Sequence, residues 1–130
     1  FRSHIAGRRP EMTTTASSVS LRYPYHSIGD HTRQWDFADD HLTIKDVLSG
    51  TGKHDIVRRL VSPLEAEISD GAAILRGREK SYRVRGSGAD LSIKPVTCWR
   101  AYGQGNPGTM ITFSTCQDLP FQGVLNVEVF

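Results

Sequence analysis

The sequence predicts an all-β protein: an antiparallel β-sandwich, part of a larger sandwich, with little or no helix. Short segments alternate apolar and polar residues, and Gly, Pro, Asp and Ser separate them at intervals of about 8–12 residues, as in antiparallel sheets. Twelve glycines and six prolines are scattered over 130 residues without a repeat, which indicates frequent turns. A strand that exposes one face to solvent must bury its other face. We expect roughly nine to eleven such strands, and burying their apolar faces requires a second sheet packed against the first.

The N-terminal part is predicted to be an edge strand or arm over residues 1–18, followed by one sandwich domain over residues 19–130. Residues 8–18 are polar and contain few candidates for a core. The chain opens on Phe1 rather than Met and shows no secretory leader. We therefore expect it to be a fragment of a longer protein.

Strand signals follow along the chain. The alternation is clearest in five segments, residues 19–23, 41–45, 81–85, 90–94 and 123–129. In the last of them Leu125, Val127 and Val129 form one stripe. Residues 54–68 could be helical, but Pro63 interrupts them and the same apolar residues suit two short strands.

Turn chemistry fills the gaps between these segments. Residues that tolerate positive φ or fix a bend cluster at positions 39–40, 49–52, 69–71, 86–88 and 105–108. We predict that these clusters form hairpin connections.

Charge and hydropathy exclude several classes of protein. Sixteen Lys and Arg against fourteen Asp and Glu give a net charge of +2, too small to indicate a nucleic-acid partner. No apolar run approaches the roughly 20 residues of a membrane-spanning helix. We predict neither a nucleic-acid nor a membrane partner.

The cysteines leave two alternatives open. Cys98 and Cys116 are too few for a disulfide scaffold and lack the spacing of metal ligands. They form either a single disulfide or two buried thiols on neighbouring strands.

Histidines and acids could supply a zinc site, from His26, His31, His41, His54, Asp30 and Asp46. No pair of them shows the short spacing on a common face that marks such sites. Structural histidines are the favoured interpretation, and we predict no metal and no cofactor.

Basic and aromatic residues suggest a glycan surface. Five cations lie within ten residues, at Arg76, Arg78, Lys80, Arg83 and Arg85. Together with Arg58 and Arg59 they could form a basic face for a carboxylated or sulfated glycan, the alternative being an ordinary solvated strand face. Trp99 and Tyr102, beside Arg100, could stack on sugar rings or fill a sandwich core.

An ordered series of motifs runs from about residue 28 to the C-terminus. His31-Thr32-Arg33 is followed by a Leu-x-Ile-x-Asp-x-x-x-Gly stretch over residues 42–50, in which Asp46 is expected to accept hydrogen bonds from turn amides. A Gly-x-His element comes next at Gly52. A strand ending in Ser62-Pro63, the Tyr102-Gly103 pair and Leu119-Pro120-Phe121 complete the series.

These motifs, in this order, resemble the C-terminal β-sandwich of the heparinase II/III-like family of polysaccharide lyases. Ser62 departs from the family's His-Pro, and Phe1-Arg2 with residues 7–9 resembles a strand at its front. The family's His-Asn-Thr element has no counterpart in this chain. The resemblance implies that most catalytic groups belong to an N-terminal α-helical toroid, so we assign no catalytic residue.

The resemblance implies a function shared with a longer chain. We expect this chain to be the C-terminal β-domain of a bacterial protein that acts on acidic polysaccharide by β-elimination. The isolated domain is expected to be inactive. Its expected partners are the α-toroid of the parent chain, an acidic polysaccharide, and further copies through an exposed sheet face. A periplasmic or secreted location is favoured. The candidate substrate-binding residues are Tyr23, His26, His31, Arg33, Trp99 and Tyr102.

Two alternatives from other classes remain at this point. One is a free-standing glycan-binding or assembly module, which should be monodisperse and bind an anionic glycan in a salt-dependent manner. The other is a β-rich capsid or coat fragment, which short-strand patterning alone does not distinguish.

Overall fold

The computed structural model describes residues 9–25 and 29–130, with Tyr25 described by its backbone alone. Its strands are β1 Glu11–Thr14, β2 Ser18–Tyr25, β3 Gly29–Phe37, β4 His41–Leu48, β5 Lys53–Ser62, β6 Glu65–Ser69, β7 Ala72–Arg76, β8 Ser81–Gly86, β9 Asp90–Ala101, β10 Gln104–Asp118 and β11 Phe121–Val129. These residues contain no helix, which confirms the predicted all-β class. In particular, over the described ranges there is no apolar helix long enough to cross a membrane.

Two antiparallel sheets of unequal size form the sandwich. The large sheet has eight strands in the order β1-β2-β3-β4-β11-β8-β7-β6, and the small sheet has three in the order β5-β10-β9. The five segments predicted as strands all lie inside strands of these sheets. Residues 54–68 form the two-strand alternative, because Pro63 separates β5 from β6.

The core lies between the small sheet and the middle of the large one. Ile44, Val84 and Leu125 on the large sheet pack against Ile111 and Phe113 of β10. The predicted alternation explains this arrangement, because the residues of one parity on each strand point toward the facing sheet.

Two of the predicted hairpin turns are sheet crossovers. Residues 49–52 lead from β4 into the small sheet, and residues 86–88 lead from β8 into the small sheet. Both sides of β4 are already occupied by β3 and β11, and both sides of β8 by β11 and β7. With no free edge beside it, the next strand must join the other sheet.

The turn predicted at residues 105–108 is wrong, because these residues lie inside β10 and the chain reverses at Tyr102 and Gly103. Gly105 allows close cross-strand packing instead: a Cβ there would lie 2.5 Å from Thr97 and 3.0 Å from the Trp99 ring. Pro107 lies beyond the end of the pairing between β5 and β10, which stops at Thr109, so this part of β10 is paired with β9 on one side only, a position at a sheet edge where proline is tolerated.

The two cysteines are free thiols on neighbouring strands. Cys98 pairs in register with Asn106, whereas Cys116 lies ten residues farther along β10, about 34 Å at the usual rise of an antiparallel strand. A disulfide needs Cα atoms within roughly 7 Å, so the fold favours the two-thiol alternative. Cys116 is exposed rather than buried.

The small sheet leaves part of the large sheet uncovered. Among the side chains that the structure describes, every buried one of the large sheet lies on β4, β11, β8 or β7. On β2 and β3, the apolar side chains on the face toward the core, including Leu21 and Trp35, are only partly buried. Met12 of β1 is 65 % exposed. The inner face of β1–β3 is therefore half-open.

Candidate functional site

A buried carboxylate organises the inner face where β3 and β4 meet. Asp46 on β4 is 1 % exposed and pairs in register with Arg33 on β3. Its Oδ1 accepts hydrogen bonds from Arg33 Nε at 2.6 Å and from His31 Nε2 at 2.8 Å, and its Oδ2 accepts from Arg33 Nη2 at 3.0 Å. Asp46 thus takes side-chain donors in place of the turn amides expected from the sequence.

The environment keeps Asp46 ionised. Burial alone would raise its pKa, but the hydrogen bonds from His31 and Arg33 and the charge of Arg33 outweigh burial, so the pKa of Asp46 falls below 3.8. The carboxylate therefore carries a full negative charge at neutral pH.

A second arginine, which is buried, lies near this pair, and its charge interacts with both Asp46 and Arg33. Arg58 points inward from β5 and is 3 % exposed. Within residues 9–25 and 29–130, none of its three side-chain nitrogens has an acceptor. Its Cζ lies 5.6 Å from the centroid of the Phe121 ring. Burial lowers the pKa of Arg58, the charge of Asp46 opposes this shift, and the charge of Arg33 adds to it.

Gly123 makes room for this arginine. A Cβ at position 123 would lie 2.9 Å from Arg58 Nη1 and 2.3 Å from Phe121 Cζ. Any side chain larger than hydrogen would displace the guanidinium or the ring. Gly123 pairs in register with Asp46, so this space lies beside the residue that carries the carboxylate.

The cluster borders a cavity of about 270 Å³ between β3, β4 and β5. Arg33, Asp46 and Arg58 lie along its wall, and Ser49 and His54 line it where the chain crosses between the sheets. Asp30 and Asp55 also line the cavity, but Asp30 is paired with Arg22 and Asp55 points outward from β5. Next to Arg58, the wall therefore consists of two guanidinium groups and the single carboxylate of Asp46. Such a wall favours a negatively charged ligand.

The structure brings three of the predicted site residues together. Tyr23 on β2 pairs in register with His31, and their ring centroids are 6.2 Å apart. Arg33 lies two residues along β3. His26 lies outside the described residues.

The other two predicted residues lie at the far end of the small sheet. Phe113 pairs with Arg58, and Gln104 follows the turn that carries Tyr102, so nine residues of β10 separate the two places, about 30 Å. Trp99 is 68 % exposed and Tyr102 is fully exposed. Since the Trp99 ring packs across Gly105, it presents a flat aromatic surface to solvent.

The predicted basic face does not include Arg58, which is buried, whereas its neighbour Arg59 is exposed on the opposite side of β5. Two of the remaining cations form ion pairs. Arg76 lies 2.6 Å from Glu67, and Arg83 lies 3.6 Å from Glu128. In the part of the chain that the structure describes, no three His, Cys, Asp or Glu side chains are placed to hold a metal ion.

Stability should depend on pH through Asp46. Because its folded-state pKa lies below the ordinary 3.8, its stabilising contribution is complete above about pH 5 and is lost as the pH falls through the folded pKa. We expect the urea midpoint to fall steeply between about pH 5 and pH 3, and Asp46→Asn to flatten that fall.

Asp36→Asn provides the matched control. Asp36 also has a lowered pKa, through hydrogen bonds from Lys45 and Gln34, but it lies at the surface. It should keep the wild-type profile. Equal flattening by both substitutions would contradict the assignment to Asp46.

Comparison with solved structures shows the same fold inside larger enzymes. A heparinase III gives a TM-score of 0.72 at 17 % identity, covering 92 % of this chain and 21 % of the heparinase. A mutant heparan sulfate lyase from Pedobacter heparinus gives 0.71 at 13 % identity, covering 95 % and 21 %. A 4-α-glucanotransferase from Thermococcus litoralis gives 0.60 at 9 % identity, covering 92 % and 22 %.

These likenesses concern the fold. No family model and no curated protein matches the sequence. The predicted resemblance to the β-sandwich of heparinase-type lyases is confirmed at the level of the fold. This chain spans about a fifth of the length of the heparinases it resembles.

Proposed function

We propose that this chain is the β-sandwich part of a larger bacterial protein that acts on an acidic polysaccharide by β-elimination. In that protein it would support an N-terminal α-toroid and form one wall of the substrate cleft. The support is the match over more than nine tenths of this chain to about a fifth of two heparinase chains.

The half-open inner face of β1–β3 is the observation that carries the proposal. A three-stranded sheet facing an eight-stranded one leaves Leu21, Trp35 and Met12 partly or largely in water. Surfaces of this kind in a folded domain usually contact another part of a protein. A larger parent chain supplies such a part.

Elimination chemistry supports an inactive isolated domain. Removal of the C5 proton of a uronic acid needs a base, a neutralised carboxylate and a protonated leaving oxygen in one place. The buried cluster supplies no free base, because the Asp46 carboxylate already accepts hydrogen bonds from His31 and Arg33. The remaining groups would come from the toroid.

A lyase assay tests this proposal. The purified chain is incubated with heparan sulfate and with alginate, and the ultraviolet absorbance of the unsaturated uronate product is followed. We expect no product from the chain alone and product from a longer gene product that contains it. Product from the 130-residue chain by itself would contradict the proposed division of labour.

The exposed Trp99 platform favours a second candidate, a free-standing glycan-binding module. Trp99→Ala should then weaken retention on an immobilised acidic polysaccharide by about threefold to tenfold. Phe37→Ala is the matched control, because Phe37 is an exposed aromatic residue on another strand. A monodisperse chain whose retention depends on Trp99 supports the module. A chain that self-associates, and whose retention on the polysaccharide does not change in Trp99→Ala, supports the proposed domain of a larger protein.

A further inference from the structure

We propose that the cavity between β3, β4 and β5 is a binding site for a small oxyanion, a carboxylate or sulfate-type group, held by Arg58 and Arg33. This inference goes beyond the proposed function and stands independently of it. It rests on burial, hydrogen bonding and charge within the cavity wall.

Arg58 is the first reason. A buried guanidinium has five N–H donors, and leaving them without acceptors is costly in free energy. All three nitrogens of Arg58 lack an acceptor among the described residues, although its side chain is only 3 % exposed and borders the cavity. The Phe121 ring, 5.6 Å away, offers a weak cation–π contact but no hydrogen bond.

The neighbouring carboxylate cannot meet this need, which is the second reason. Asp46 already accepts three hydrogen bonds, all from His31 and Arg33. Arg33 and Asp46 neutralise one another, so the charge of Arg58 is the uncompensated one. An oxyanion bridging Arg58 and Arg33 would balance the charge and supply acceptors in the bidentate geometry that guanidinium groups favour.

The remaining acids of the cavity do not fill this role. Asp30 is paired with Arg22, and Asp55 points outward from β5 on the opposite face from Arg58. The size also fits: a cavity of about 270 Å³ exceeds many times the roughly 10–15 Å³ that one water needs, so it has room for an oxyanion and its waters.

Thermal unfolding in sodium sulfate tests the site, with sodium chloride of equal ionic strength as the reference. We expect sulfate to raise the Tm of the wild-type chain by about 5–10 °C once it exceeds its Kd a hundredfold. Sulfate also stabilises proteins non-specifically, so the informative quantity is the difference between variants.

Arg58→Met removes the charge and keeps an apolar side chain of comparable length. In chloride its Tm should be equal to or above that of the wild type, because an unpaired buried charge has been removed. Its additional rise in sulfate should disappear. Arg59→Met, on the exposed side of the same strand, should keep the full sulfate response.

Two further arms identify the source of the oxyanion. Sodium glucuronate and a sulfated oligosaccharide are titrated in the same way and in competition with sulfate. A response to the oligosaccharide that Arg58→Met abolishes assigns the site to a glycan group, and a response to inorganic sulfate alone assigns it to a free ion. Equal sulfate responses in wild type and Arg58→Met, measured together with Arg58→Lys, would overturn the proposal.

Discussion

Replacing Asp46 by Ala is expected to lower the free energy of unfolding by about 3–5 kcal/mol. The substitution leaves Arg33 and His31 without their acceptor and places the two guanidinium groups of Arg33 and Arg58 together without a counter-charge. Breaking a buried ion pair by removing one partner typically costs this much, because the other partner stays buried and unpaired. Urea denaturation followed by tryptophan fluorescence measures the loss.

Asp36→Ala is the control for charge removal on the adjacent strand. Asp36 forms a 2.8 Å ion pair with Lys45, but its side chain is 32 % exposed. Solvent screens that pair, so we expect a loss of about 1 kcal/mol or less. If both substitutions lowered the free energy of unfolding by similar amounts, burial would not explain the expected effect of Asp46→Ala, and the prediction would be wrong.

Replacing Phe113 by Ala is expected to cost about 3–5 kcal/mol as well, for a different reason. The Phe113 side chain is 1 % exposed and packs between the two sheets against Leu125. The fit is tight, since a Cβ on Gly86 would lie 2.7 Å from both the Phe113 ring and Leu125. Truncation therefore loses the buried area and leaves a cavity that rigid neighbouring strands cannot fill.

Phe37→Ala serves as the comparison for loss of an aromatic ring at the surface. Phe37 is 52 % exposed at the end of β3, so its removal should cost about 1 kcal/mol or less. Equal denaturation midpoints for the Phe113 and Phe37 variants would contradict the described core. Both variants should keep the β-sheet circular dichroism spectrum at low urea.

The sequence contains much of the fold, because period-two alternation marks which side of a strand is buried. The inward positions of Leu125 and Val127 on β11 follow from that rule, as do the two separate strands on either side of Pro63. Alternation does not say which sheet a strand joins. Residues 49–52 carry ordinary turn chemistry, and their crossover is decided by β11, which occupies the edge of β4 from far along the chain.

The candidate site could be predicted only in part, because alternation shows which side chains share a face but not which strands bring them together. His31 and Arg33 share one face of β3, and Asp46 shares the inward parity of Ile44 on β4, so the pairing of opposite charges is readable from the sequence. The sequence places Arg58 beside Arg59, so composition alone groups it with the cations of the predicted basic face. Arg58 lies two residues after Ile56, so the alternation along β5 places both side chains on the buried face. That pattern indicates a buried Arg58, although arginine is usually exposed in proteins.

The unequal sheets also divide the molecule into parts that open at different rates. Amide groups of β4 and β11 lie beneath the small sheet, so their hydrogen exchange with solvent requires global unfolding. The strands β1 and β2 are bound to the large sheet by backbone pairing, and their inner face is only partly covered. They can therefore detach from the sheet while the core stays folded. A protease would accordingly nick this end of the domain first, unless a neighbouring domain shields it.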